Sequence, residues 1–112
     1  NNNLNLVFAF NYGSHNEIHS AVMELHNNNI EKVLSLEEIT NSFYSYFQYP
    51  DIPYPDLLLR TAGEERISNF LLYQLAYTEL IFIDTLWPDV NQDILDNVLL
   101  EFKSRNRTYG KN

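Results

Sequence analysis

Pro55-Asp-Leu-Leu-Leu-Arg60-Thr-Ala-Gly-Glu-Glu-Arg66-Ile-Ser68-Asn-Phe-Leu-Leu-Tyr73-Gln-Leu-Ala-Tyr77-Thr-Glu79 is the stretch on which the reading of this chain turns. An apolar run, Leu57 to Leu59, predicts a strand. An arginine, a Thr-Ala-Gly turn and a second arginine follow at once, and Ser68-Asn69 then opens an apolar segment with helical spacing. Strand, polar turn and helix start in that order build an anion site in an α/β fold. The first N–H groups of a helix lack intrahelical partners, and the dipole there favours negative charge. Two guanidiniums add forked donors matched to phosphate oxygens. The segment therefore predicts a phosphate or diphosphate site formed by Arg60 and Arg66, with the backbone near Ile67 and Ser68 as further donors. On spacing alone, the competing reading is a solvated turn in which Glu64 and Glu65 pair with the arginines.

Working outward, Leu4 to Phe10 reads as a strand buried on both faces, because its apolar residues are near-continuous. Asn11-Tyr12-Gly13-Ser14 is a turn, and residues 16 to 26 form an amphipathic helix carrying Ile18, Ala21, Val22 and Leu25. Ser35 with Glu38 is a capping box for a second helix, along which Ile39, Phe43 and Phe47 share a face. Tyr49 to Pro55 holds three of the four prolines and is a loop. After the central segment, Leu80 to Ile83 is a strand, Trp87-Pro88-Asp89 a turn, and Asn91 to Asn106 a last helix with Ile94, Leu95, Val98 and Phe102 inward. This alternation predicts an α/β fold with a parallel sheet flanked by helices. Three strands are few for such a sheet, and the chain begins Asn1-Asn2-Asn3 without a methionine, so the reading is one part of a longer domain.

Composition narrows the function. A net charge of −8 excludes general nucleic-acid binding, while Arg60 and Arg66 are two of only seven basic residues and can still make a local basic pocket. There is no cysteine, which removes disulfides and thiolate zinc sites. No apolar run approaches the ~20 residues of a membrane span. His15 and His19 stand one helical turn apart, with His26 on roughly the same face, but no carboxylate motif completes a zinc site.

The central segment resembles the signature of the cis-prenyltransferases, the undecaprenyl and dehydrodolichyl diphosphate synthases: Pro-Asp-Leu-Leu-Ile-Arg-Thr-x-Gly-Glu-x-Arg-x-Ser-Asn-Phe-Leu-Leu-Trp-Gln-x-Ala-Tyr-x-Glu. The chain departs from it at Leu59 and Tyr73. Trp87-Pro88-Asp89, Asn11-Tyr12-Gly13 and the tail Arg105-Asn-Arg107-Thr-Tyr109-Gly110 also match, so the resemblance covers essentially the whole chain. It implies the C-terminal half of an enzyme that adds isopentenyl diphosphate, with cis geometry, to an allylic diphosphate such as farnesyl diphosphate. Arg60, Arg66 and Ser68 would hold the isopentenyl diphosphate, and Glu79 would be a ligand of Mg²⁺. The family's Asp-Gly-Asn-x-Arg motif, with its catalytic aspartate, is absent from these residues, so this piece alone is expected to be inactive and to contain no catalytic residue of that kind. The resemblance further implies a homodimer in the cytoplasm, with peripheral membrane contact at product release. Ser14-His15 and Thr108 replace the family's usual Gly-Arg and Arg. They are the features that favour a rival, a non-catalytic accessory subunit of a two-component prenyltransferase. A straight helix from Ser68 to Glu79 would hold the two ~16 Å apart, so a bend near Tyr77 or a separate role for Glu79 is expected.

Overall fold

The computed structural model describes residues 4–105. Arg107, Thr108, Tyr109 and Gly110 of the tail motif lie outside the described residues, as does the predicted end of the last helix at Asn106. The chain forms two compact units, one of residues 4–52 with 69–71, the other of 53–68 with 72–105.

The second unit carries the sheet. Strands β1 (Leu57–Arg60) and β2 (Glu79–Phe82) pair in parallel, with Leu57 opposite Glu79 and Arg60 opposite Phe82. Both form where the apolar runs predict them, and the parallel α/β arrangement is as expected. Ile81 on β2, Val98 and Leu75 are the buried apolar residues of this unit, at 3%, 5% and 7% exposure. Helix α3 (Gln92–Ser104) starts at Asn91, whose Oδ1 accepts the Ile94 N–H at 3.0 Å. Asp93 in its first turn and Lys103 in its last complement the dipole. Val98 faces inward as the spacing predicts, whereas Leu95 is 37% exposed.

The helix expected from Ser68 does not form; residues 72–77 are turns. Ser68, Asn69 and Leu71 have φ of 56°, 63° and 47°. A right-handed helix cannot be nucleated through three left-handed residues, whatever the apolar spacing beyond them. Glu79 consequently opens a strand instead of closing a helix.

In the first unit, helix α1 (Ser14–Asn27) begins two residues before the expected start. Its N-cap, Gly13, has no capping side chain, and Asn69 takes over that task. The Asn69 carbonyl accepts the Ser14 N–H at 2.8 Å, and its Oδ1 accepts the His15 N–H at 2.9 Å. These are two of the helix-start donors that would otherwise lack partners. A Cβ on Gly13 would stand 3.0 Å from Asn69 Nδ2, so the glycine permits this close approach. Ser14 and Ala21 are fully buried on α1, while Val22 is half exposed. Helix α2 (Leu36–Ser42) shows both halves of the Ser35–Glu38 capping box. It tightens into a 3₁₀ turn, Phe43–Tyr46, and Phe43 meets the buried Phe47 edge to face at 5.2 Å.

Leu4 to Phe10 is not a strand. The segment forms no sheet pairing, and Leu4, Leu6, Phe8 and Phe10 are 67–84% exposed. A strand exists only through ladder partners, and a run apolar on both faces also needs cover on both.

The candidate diphosphate site

The site is built on the carboxyl ends of the two parallel strands, where open α/β sheets bind ligands. Strand β1 delivers Arg60 there. The chain then turns through Ala62 and Gly63, both left-handed with φ of 66° and 71°. The turn is sewn to the end of β2: the Ala62 N–H donates to the Thr85 carbonyl at 2.8 Å and the Gly63 N–H to the Ile83 carbonyl at 2.9 Å. The Ile83 N–H donates back to the Arg60 carbonyl at 2.9 Å. A Cβ at Gly63 would meet Asp84 Oδ1 at 3.2 Å in a conformation already costly for any L-residue.

Two of the three expected diphosphate ligands meet at this turn, and the third lies on the loop leading to them. Arg60 Nη1 donates to Ser68 Oγ at 3.1 Å and to the Arg66 carbonyl at 2.6 Å. The Arg60 guanidinium therefore ties the 60–68 loop into a closed unit, with the Ser68 hydroxyl against its fork. The Arg66 side chain extends instead to the Glu64 carboxylate, and at 67% exposure it is the freer of the two cations. Ile67, half-buried, joins the Arg66 carbonyl to Ser68. The residues expected at a helix N-terminus stand instead on a loop, because no helix starts at Ser68.

Glu79 stands elsewhere. The strand register pairs it with Leu57, three residues before the Arg60–Phe82 pair, which places it ~10 Å along the strands from the level of Arg60. It is partnered by a residue that spacing did not single out for the site. Arg105, the C-cap of α3, donates from Nη1 to Glu79 Oε1 at 3.3 Å and to the Leu80 carbonyl at 2.9 Å. Its Nη2 engages the Glu101 carboxylate one helical turn back. The Glu101 hydrogen bond is the main influence holding the Arg105 guanidinium above its ordinary range. The sequence signals for this cluster are the Glu101–Arg105 spacing of four and the place of Arg105 at the head of the tail motif.

The donor chemistry of Glu79 suits a hard cation in part. It offers carboxylate oxygen at 22% side-chain exposure, with one oxygen outside the Arg105 contact. Mg²⁺ is ordinarily held by one or two carboxylates together with water and substrate phosphates. No group of three His, Asp or Glu side chains able to enclose a metal occurs among the described residues. His15 and His19 stack with ring centroids 6.2 Å apart and gather no further ligand into such a group.

The fold is of the α/β class, a parallel strand pair whose first strand leads into a loop carrying two arginines and a serine hydroxyl. The chain belongs to the undecaprenyl diphosphate synthase family of prenyltransferases, whose family model matches residues 1–110. It is similar to an isoprenyl transferase of Chlamydia muridarum, 46% identical over 109 residues, which cover 96% of this chain and 43% of that protein. It is also similar to the ditrans,polycis-undecaprenyl-diphosphate synthase of Micrococcus luteus, specific for (2E,6E)-farnesyl diphosphate. That match is 43% identical over 111 residues and covers 98% of this chain and 45% of the relative. Among solved structures, it resembles lavandulyl diphosphate synthase of Lavandula x intermedia in complex with dimethylallyl diphosphate. The TM-score is 0.76 at 32% identity, over 89% of this chain and 44% of that one. The chain spans under half the length of these relatives. Among the described residues, no helix is long and apolar enough to cross a membrane.

Proposed function

We propose that this chain is the acceptor-binding half of a cis-prenyl diphosphate synthase, which condenses isopentenyl diphosphate with an allylic diphosphate. The observation that carries the proposal is the meeting of the Arg60 guanidinium with the Ser68 hydroxyl at the carboxyl ends of the strands, with Arg66 on the same loop, in a chain of this family. Prenyl transfer joins C4 of isopentenyl diphosphate to C1 of the allylic substrate, releases diphosphate from the latter and removes a proton from C2 of the former. The acceptor keeps its own diphosphate throughout, so a clamp of fixed cations and one hydroxyl can hold it in every step and orient its double bond. In this reading Arg60 and Ser68 stay in place as a pre-formed pair, while Arg66 exchanges Glu64 for a phosphate oxygen. Farnesyl diphosphate is the proposed allylic substrate, following the named specificity of the Micrococcus luteus relative.

Glu79 is proposed as a ligand of Mg²⁺, which would supply positive charge to a diphosphate. Support comes from its hard, partly accessible carboxylate. The proposal includes a homodimer, supported by Trp87, Leu99 and Leu100, which are 70%, 48% and 65% exposed on the Trp87–Asp89 turn and α3. It also includes a cytoplasmic location with membrane contact confined to product release. Catalytic membership is favoured over an accessory subunit because both arginines are kept, and because one departure has a structural role. Ser14 is fully buried and donates its N–H to Asn69 at the start of α1. The test is incubation of the intact protein with labelled isopentenyl diphosphate, farnesyl diphosphate and Mg²⁺. Polyprenyl product that disappears with Arg60→Ala and Arg66→Ala is expected; turnover unchanged in both variants refutes the site.

A further inference from the structure

Ser68 and Asn69 stand next to each other in left-handed backbone, with φ of 56° and 63°. That conformation is costly for L-residues other than glycine, least so for asparagine, and it persists where surrounding contacts hold it. At Asn69 those contacts come from the first turn of α1. Its carbonyl accepts the Ser14 N–H at 2.8 Å and its Oδ1 accepts the His15 N–H at 2.9 Å. Two successive N–H groups thus engage the main chain and the side chain of one residue, and Ser14 is fully buried. Turning either the Asn69 carbonyl or its carboxamide breaks one of the two bonds. One residue earlier, Ser68 Oγ accepts from Arg60 Nη1 at 3.1 Å. Asn69 and α1 belong to one compact unit and Arg60 and Ser68 to the other, and the 68–69 peptide bond carries the chain from one to the other.

We propose that Asn69 is a positioning residue for the diphosphate acceptor: clamped to the start of α1, it holds the left-handed turn that keeps the Ser68 hydroxyl on the Arg60 fork. This rests on the reading of Ser68 as a ligand of that diphosphate. Ser68 Oγ offers a lone pair to Arg60, so its hydrogen remains to be donated to a phosphate oxygen. Such a donation works from one direction only, and the backbone at Ser68 sets that direction because it carries the Cβ. Serine has no preference of its own for left-handed backbone. In the extended or right-handed conformations it ordinarily adopts, the hydroxyl would leave the Arg60 fork. The clamp on Asn69 resists that relaxation through the adjoining peptide bond. Asparagine suits the position on two counts, since it tolerates left-handed backbone and its short side chain carries an acceptor. Gly13 completes the clamp. A Cβ there would stand 3.0 Å from Asn69 Nδ2, while the Gly13 backbone, with φ of −141°, is open to any residue. The glycine therefore supplies room for the carboxamide.

The experiment is isothermal titration of the intact protein with isopentenyl diphosphate, at a temperature where unfolding curves show every variant fully folded. Ser68→Ala is expected to weaken binding about tenfold or more, through loss of a hydrogen bond to a charged group. Asn69→Ala removes only the clamp and should weaken binding about fivefold, the worth of one helix-cap bond. Asn69→Gly accepts left-handed backbone without strain but lacks the side-chain acceptor, and it should also weaken binding. The double variant Ser68→Ala/Asn69→Ala should bind no more weakly than Ser68→Ala alone, since Asn69 acts only through Ser68. In turnover, Asn69→Ala should raise KM for isopentenyl diphosphate and leave KM for farnesyl diphosphate at the wild-type value. Three results overturn the inference while sparing the role of Ser68: wild-type affinity in Asn69→Ala when Ser68→Ala loses it, wild-type affinity in Asn69→Gly, or losses that multiply in the double variant. Wild-type affinity in Ser68→Ala refutes the ligand reading itself, and the inference falls with it.

Discussion

Arg66 is tied to Glu64 in the structure, and that tie has a measurable consequence for ligand affinity. The pair is a surface contact, with side chains 67% and 44% exposed, so it is worth at most about 1 kcal/mol. Binding a diphosphate requires Arg66 to give that contact up. Glu64→Gln removes the competing charge and should tighten isopentenyl diphosphate by up to about fivefold. Arg66→Ala removes one charge-assisted ligand contact, about 1.5–3 kcal/mol, less whatever the broken Glu64 pair had cost. The net expectation is a loss of about 2- to 150-fold. Arg60→Ala should weaken binding further than Arg66→Ala, because it also releases the Ser68 hydroxyl and the Arg66 carbonyl from the loop they close. The double variant Glu64→Gln/Arg66→Ala should match Arg66→Ala alone, since the glutamate then has no arginine to hold back. Isothermal titration of the intact protein with isopentenyl diphosphate reads all four. Weaker binding in Glu64→Gln would refute the competition and show that Glu64 aims Arg66 at the ligand. Wild-type affinity in Arg66→Ala would remove that arginine from the site.

Two further predictions concern the first unit. Asn69→Ala removes the side-chain acceptor at the start of α1 and should lower stability by about 1 kcal/mol in chemical denaturation, whereas Asn69→Asp, which keeps the acceptor, should lose less. The Tyr12 phenol is pushed up to about 12, chiefly by burial and then by its hydrogen bond to Glu17. The neutral phenol is therefore favoured in the folded state. Its contribution is fully present below pH 10 and is lost as pH rises through about 12. With partial exposure discounting it, that contribution is about 1 kcal/mol. Tyr12→Phe should abolish this alkaline loss in denaturation curves measured across the range, and an unchanged alkaline limb would place the titrating group elsewhere.

Local chemistry was the legible part of the fold. Ser35 and Glu38 form their capping box because both partners lie within one turn and need nothing from the rest of the protein. The strands at Leu57 and Leu80 were readable as short apolar runs bounded by polar turns, and the intervening segment was long enough for a parallel crossover. Leu4 to Phe10 has the same composition but is exposed. An apolar pattern states what environment a segment needs, and sequence alone cannot show that the environment is present. The 68–77 segment fails for a different reason. Phe70, Leu71, Leu72 and Leu75 keep helical spacing, yet the backbone at Ser68, Asn69 and Leu71 is left-handed. Asn69, read as part of a helix start, instead caps α1, more than fifty residues earlier in the chain. Asparagine tolerates left-handed backbone and accepts hydrogen bonds locally, so the residue type carried a hint, but its partner was non-local.

The scaffold of the candidate site differs from the one the sequence predicts. Arg60, Arg66 and Ser68 were chosen as ligands of a helix start, and the structure gathers them on a loop at the end of β1 instead. Glu79 was expected to be hard to bring to the same anion, and the register gives that difficulty a physical form: it occupies the opposite end of a four-residue strand pair. Arg66 stands on the loop beyond Arg60 and pairs with Glu64, whereas Glu79 pairs with Arg105 about 10 Å along the strands from the level of Arg60, so the two share no partner through which one could report on the other. Sites separated by that distance usually act additively within about 0.3–0.5 kcal/mol. The losses caused by Glu79→Gln and Arg66→Ala in kcat/KM should therefore sum in the double variant. A smaller loss than the sum would mean that both residues act on one diphosphate through one metal, and that during turnover the two ends of the strand pair serve a single site.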